Sequence, residues 1–76
     1  MNKPRRKALQ TLLDQLAEVR DALEEIQNEE EEYRDNMPEN LQGSERYEKA
    51  DEACSNLYDA VSSLEEAISS IETAIE

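Results

Sequence analysis

Counting in sevens from Leu9 places Leu9, Leu16, Leu23, Glu30 and Met37 in one row, and Leu12, Val19, Ile26 and Tyr33 in the row three residues further on. Eight of these nine residues are apolar, and Glu30 is the break. Alternating steps of three and four keep one face of an α-helix apolar, whereas a half-buried strand alternates every second residue. A second count gives Tyr47, Cys54, Val61, Ile68 and Ile75, interleaved with Ala50, Leu57, Leu64 and Ile71. Ala53, Ala60, Ala67 and Ala74 recur beside this second seam, and Tyr58 stands on its other side. Small residues let a neighbouring backbone approach, so the second helix has a stripe wide enough for two partners. The first widens its stripe less, through Ala8, Leu13 and Ala22.

The pattern predicts an all-α chain, a two-helix antiparallel coiled-coil hairpin that dimerises into a four-helix bundle. A monomeric hairpin is the alternative. The single domain, residues 1–76, divides into a helix over 4–34, a turn over 35–43 and a helix over 44–75. Pro4 suits a first helical turn, where its missing N–H costs nothing. The first helix should end before Pro38, because the residue preceding a proline is pushed out of the helical region. Ser44 is a good N-cap, with Glu45 and Glu48 in the turn that favours acids. Gly43 is expected to free the backbone between them. The middle of the turn, "PENLQ", is longer than antiparallel helices need and is expected to form a turn of helix with Leu41 against Met37.

Charge adds direction to this outline. The net charge is −12, but Lys3, Arg5, Arg6 and Lys7 hold half of the eight basic residues, and none follows Lys49. Folding about the turn is expected to set Arg5, Arg6 and Lys7 beside Glu72 and Glu76. Surface pairs of this kind contribute about 0 to 1 kcal/mol each. The acidic remainder repels nucleic acid phosphates and anionic lipid and attracts basic protein surfaces, so neither direct nucleic acid binding nor membrane binding is expected.

The residues offer little chemistry. A single cysteine excludes an internal disulfide and, without histidine, the usual Cys/His zinc site. The lone thiol and the lack of any apolar run near the roughly 18 residues of a membrane span point to a soluble, cytoplasmic protein. Glu29 to Glu32 is the densest acidic run, but successive helical residues point about 100° apart and do not converge on one ion. With no glycine-rich phosphate loop and no nucleophile beside a base, no catalytic, metal or cofactor-binding residue is expected, and the protein is read as non-enzymatic. Cys54 falls on the seam, where a buried, inert thiol is expected. Tyr33 and Tyr47 flank the turn and are expected to pack with Met37 and Leu41 as a plug.

The segment "DNMPENLQGSERYEKADEA", preceded by a Glu-rich helix and followed by "LYDAVSSLEEAISSIETAIE", resembles short, largely uncharacterised coiled-coil proteins of phages, prophages and mobile elements of Gram-positive bacteria. The resemblance covers residues 22–76, and its specific part is the tip with its flanking tyrosines. It implies a mobile-element origin, a bacterial host cytoplasm and a helical hairpin, and supplies no activity.

Three functions are compatible with these features. The first is a protein-interaction module, a homodimer docking a protein partner through a tip made of Tyr33, Glu39, Asn40, Leu41, Gln42 and Tyr47. The second is an acidic nucleic-acid mimic that inhibits a host nuclease or defence protein through a face carrying Glu24, Glu25, Glu29, Glu31 and Glu32. The third is a structural or scaffolding part of a phage particle.

Overall fold

The computed structural model describes all 76 residues as two long helices joined by a short 3-10 turn, with no strands. Helix α1, Lys3–Asp35, opens at Asn2, whose backbone is extended and whose side-chain oxygen accepts the N–H of Arg5 at 2.9 Å. Pro4 lies in the first turn. Asn2 is a cap that the periodicity did not point to, although asparagine is among the best residues for that place. The helix closes at Asn36, whose N–H reaches the Glu32 carbonyl at 2.9 Å, while Met37 reaches Arg34 at 3.3 Å. Pro38 then turns the chain into extended backbone.

The long link is a 3-10 turn, Glu39–Leu41, that hands its own carbonyl to the next helix. Leu41 N–H bonds to Pro38 at 2.9 Å and Gln42 N–H to Glu39 at 3.2 Å. The Ser44 hydroxyl donates to the Leu41 carbonyl and accepts the N–H of Tyr47 at 3.3 Å. Helix α2, Glu45–Ile75, follows with Glu45 and Glu48 in its first turn. Gly43 does not do what the sequence suggested. No glycine in the chain has a positive φ, and a Cβ added at Gly43 meets nothing within 4 Å.

The helices run antiparallel in a rod of 59 × 15 × 13 Å. Only Leu13, Met37, Ala50, Cys54 and Val61 are buried, and α2 supplies three of the five. Every member of the predicted α2 seam is buried or half-buried. In α1 the row through Leu9, Leu16, Leu23, Glu30 and Met37 faces α2 as expected, but its companion is a different row. Leu13, Arg20, Gln27 and Arg34, four residues on rather than three, are the ones drawn inward. The row that patterning assigned to the seam stays outside, with Leu12 at 48%, Val19 and Ile26 at 53% and Tyr33 at 49% exposure. Of the residues that widen the stripe, Leu13 is buried, Ala8 and Ala22 are exposed, Ala53 and Ala60 are half-buried, and Ala67 and Ala74 are exposed.

The physical reason lies in the side chains that replace it. Arg20, Gln27 and Arg34 have long aliphatic stems that cover the seam while their polar heads reach water. Arg34 also makes the one ion pair between the helices, Nη1 to Asp51 Oδ1 at 2.8 Å. With Arg34 level with Asp51, a step of 25 residues along each helix brings Leu9 level with Glu76. Residues 1–8 are all exposed, and none of the four ion pairs joins Arg5, Arg6 or Lys7 to Glu72 or Glu76. The expected pairing of the basic start with the acidic end is absent because the basic residues stand beyond the end of α2.

These observations separate two neighbouring residues of the turn. Gly43→Ala should raise stability by about 0.4 to 1 kcal/mol, since it stiffens the unfolded chain without native strain. Ser44→Ala should lower it by about 1 kcal/mol through loss of the cap. Thermal denaturation at one protein concentration checks both, and a destabilised Gly43→Ala variant would contradict the open geometry described.

Candidate interaction surface

A two-helix rod has two broad faces, and the grooves between the helices show which rows line each. One groove, of about 300 Å³, has Glu24, Gln27 and Asn28 on α1 facing Tyr58, Ser62 and Glu65 on α2, with Val61 at its floor. The Arg34–Asp51 pair belongs to the same side. Residues seven apart on a helix share a face, because seven residues make just under two turns. Glu31 therefore joins Glu24 here, and this face is polar.

The second groove, of about 410 Å³, is lined by Glu30 and Tyr33 on α1 and by Glu45, Arg46, Lys49 and Ala50 on α2. Tyr33 leads the outer row of α1, and Arg46 lies seven residues before Ala53. The row Leu12, Val19, Ile26 and Tyr33 thus shares a face with the row Ala53, Ala60, Ala67 and Ala74. The register set by Arg34 and Asp51 brings Tyr33 level with Ala53, Ile26 with Ala60, Val19 with Ala67 and Leu12 with Ala74, each to within a residue. The result is a strip of four rungs, each with one larger and one small apolar side chain. Neither helix covers it.

At the closed end, Met37 is buried and Leu41 and Tyr47 are half-buried, as a plug requires, but Tyr33 is not part of it. Its row faces the apolar strip, so the tyrosine lies on the flank of the rod. Glu39, Asn40 and Gln42 are exposed around the 3-10 turn. Of the six tip candidates, five gather at the turn and Tyr33 belongs as much to the strip. The acidic candidates are spread further. Glu24 and Glu31 are half-buried at the polar groove, while Glu25, Glu29 and Glu32, spaced four and three residues apart, are exposed along one outer row of α1. The five glutamates do not form one row.

The Arg34 guanidinium is the most constrained polar group. It donates from Nε to Asp35 at 2.9 Å and from Nη1 to Asp51 at 2.8 Å. These bonds, that to Asp35 first, hold its pKa above the ordinary value. The Cys54 thiol lies close enough for Arg34, Glu30 and Asp51 to influence its titration, but burial is the largest influence and pushes its pKa up. A protonated thiol is a poor nucleophile. No group of three or more acidic or cysteine side chains is placed to hold a metal ion. No helix is long and apolar enough to cross a membrane.

Comparison of the chain with family models, with curated proteins and with solved structures yields no match. The candidate surface therefore stands on its own geometry. Sequence patterning named every residue of the strip but placed the larger ones in the hairpin's own seam. Arg34, paired with Asp51, lies on the row of α1 that turns to α2 instead.

Burial of Cys54 has a pH consequence whose sign is definite. A thiol whose folded pKa lies above its unfolded value contributes stability that is complete below the unfolded pKa, about 8.5, and is lost as pH rises through the folded value. Denaturation midpoints of the native chain and of Cys54→Ala, compared from pH 7 to 9.5, should converge or cross in favour of the variant above about pH 8.5. Parallel curves would show that the thiol titrates alike in both states.

Proposed function

We propose that this protein is a non-enzymatic helical-hairpin interaction module, encoded by a phage or mobile element, that dimerises into a four-helix bundle and presents its polar face and its tip to a protein partner. The observation that carries this reading is the apolar strip. Leu12, Val19, Ile26 and Tyr33 remain about half exposed although the hairpin has a seam in which to bury them. A chain with five buried residues in 76 has a thin core, and chains of this size ordinarily add a staple or a partner. The 59 × 15 Å outline offers a face of roughly 900 Å², on the scale of the ≈ 800 Å² per partner buried in specific complexes. The resemblance of residues 22–76 to mobile-element proteins supports the origin, and the exposure of Glu39, Asn40 and Gln42 supports the tip.

The nucleic-acid mimic is the weaker reading. It draws on the acidity of residues 8–76, with 4 basic against 20 acidic side chains. Its five glutamates fall in two rows of α1, and Glu24 and Glu31, which make up one of them, are half-buried at the polar groove.

Dimerisation is checked by sedimentation at tens of micromolar. The native chain should run as a dimer, and Val19→Ser combined with Ile26→Ser should run as a monomer of undiminished helicity. Each substitution gives up about 1 kcal/mol per copy of half-buried apolar surface, so the dissociation constant should rise by two orders of magnitude or more. A monomeric native chain would end the bundle reading.

The partner question is answered by capture from a bacterial host lysate at low and high salt. Under the proposed reading, capture survives high salt and is lost with Asn40→Ala and Gln42→Ala. Capture that disappears with salt and with glutamine at positions 24, 25, 29, 31 and 32 would favour the mimic instead.

A further inference from the structure

We infer that the polar face carries a docking site for an arginine side chain of the protein partner, built from the Tyr58 ring and the carboxylates of Glu24 and Glu65. The inference rests on the reading of this face as the one turned to a partner, and adds to it the chemistry of the contact.

Tyr58 is the exposed residue that the apolar strip does not account for. Of the six large apolar residues left in water, Leu12, Val19, Ile26 and Tyr33 belong to the strip and Met1 opens the chain. Tyr58, the most exposed of them at 62%, stands on the opposite face. A second copy seated on the strip does not reach it. Its place near the middle of α2 is also where an aromatic anchor contributes most, because the surrounding contacts of an interface exclude water from its centre.

The ring borders a groove rather than a flat surface. That groove, of about 300 Å³, has Val61 at its floor, Glu24 on the α1 wall and Glu65 on the α2 wall with the tyrosine. With Arg34 level with Asp51, Tyr58 is level with Gln27, and Glu24 stands at a height between Tyr58 and Glu65. Side chains lean toward the N-terminus of their own helix, and these helices are antiparallel, so Glu24 and Glu65 lean toward each other. The groove therefore has a ring at one end and a carboxylate from each helix at the other.

Neither carboxylate has a cation of its own chain. All four ion pairs leave Glu24 and Glu65 out. The register sets Arg20 level with Glu65 as it sets Arg34 level with Asp51, yet the Arg20 guanidinium turns to Asp21 at 3.2 Å instead. Arg34 is occupied by Asp35 and Asp51. Two carboxylates are too few for a calcium ion, which takes six to eight oxygens, whereas they suit an organic cation. The ring selects among organic cations. A guanidinium is planar, lies flat on an aromatic face and offers carboxylates several N–H donors at once, while an ammonium is a compact, strongly hydrated point charge. The net charge of −12 favours the approach of a basic surface that carries such a side chain.

The test titrates the nitrogen-15-labelled native chain with N-acetylarginine methylamide, and with its citrulline counterpart, which keeps the shape without the charge. The arginine probe should give saturable amide shifts centred on Gln27, Asn28, Tyr58 and Ser62 with a millimolar midpoint, and the citrulline probe should give none. Tyr58→Ala should weaken binding about three-fold or more, whereas Tyr58→Phe keeps the ring and should retain it. Glu24→Gln combined with Glu65→Gln should also weaken it about three-fold or more. Circular dichroism should show undiminished helicity in each variant. Shifts that rise along both acidic helices without saturating, or a Tyr58→Ala variant that binds like the native chain, would overturn the site. The probe reads the groove in monomer and dimer alike. A monomeric chain that binds it would end the bundle reading and leave the site standing, while partner capture undiminished by Tyr58→Ala would leave the module standing and remove the site.

Discussion

Two helices enclose a single line of side chains, and a hairpin therefore has one seam however many apolar rows its helices carry. Here α2 turns its two rows of larger apolar residues into that seam and leaves its alanine row at the flank, while α1 divides its own. One row of α1 enters, completed by Leu13 and by the stems of Arg20, Gln27 and Arg34, and an equally regular row stays on the flank. A second seam requires a second pair of helices. The exposed strip, the thin core and the inward polar stems all follow from this division of α1.

The division is possible because the inward polar residues are long. A short polar side chain in the seam would leave a donor or acceptor buried without a partner, at a cost of about 1 to 3 kcal/mol. Arginine and glutamine place methylenes against the neighbouring helix and carry the polar head to the edge. No buried side-chain nitrogen or oxygen lacks a hydrogen-bond partner. Gln27, Glu30 and Arg34 face α2 in the half nearest the turn, which Met37 closes, and Arg20 does so in the other half among Leu9, Leu13, Leu16 and Leu23.

Much of this architecture was readable from the residues. The two heptad counts, the stop at Asn36 to Pro38 and the Ser44 cap each rest on local rules that tertiary context did not override. The rotation of α1 did not rest on such a rule. Rows three and four residues after Leu9 both complete a helical stripe, and choosing between them requires knowing what lies opposite. By apolar content alone the row through Leu12 wins. It is left out in this hairpin, where the row through Leu13 and the stems of Arg20, Gln27 and Arg34 close the seam instead. The interaction surface was misplaced for the same reason. Its residues were identified, but as the inside of one molecule rather than its side. Gly43, expected to free the backbone, sits in a turn that uses no positive φ.

An uneven seam also couples folding to association. The half of the hairpin nearest the turn holds Met37, Ala50 and Cys54, three of the five buried residues, together with the one ion pair between the helices, so the open half has the thinner core. The flanking strip runs along both halves, with Ile26 and Tyr33 beside the turn half and Leu12 and Val19 beside the open half. Covering Leu12 and Val19 would therefore add apolar burial where the hairpin's own core is thinnest.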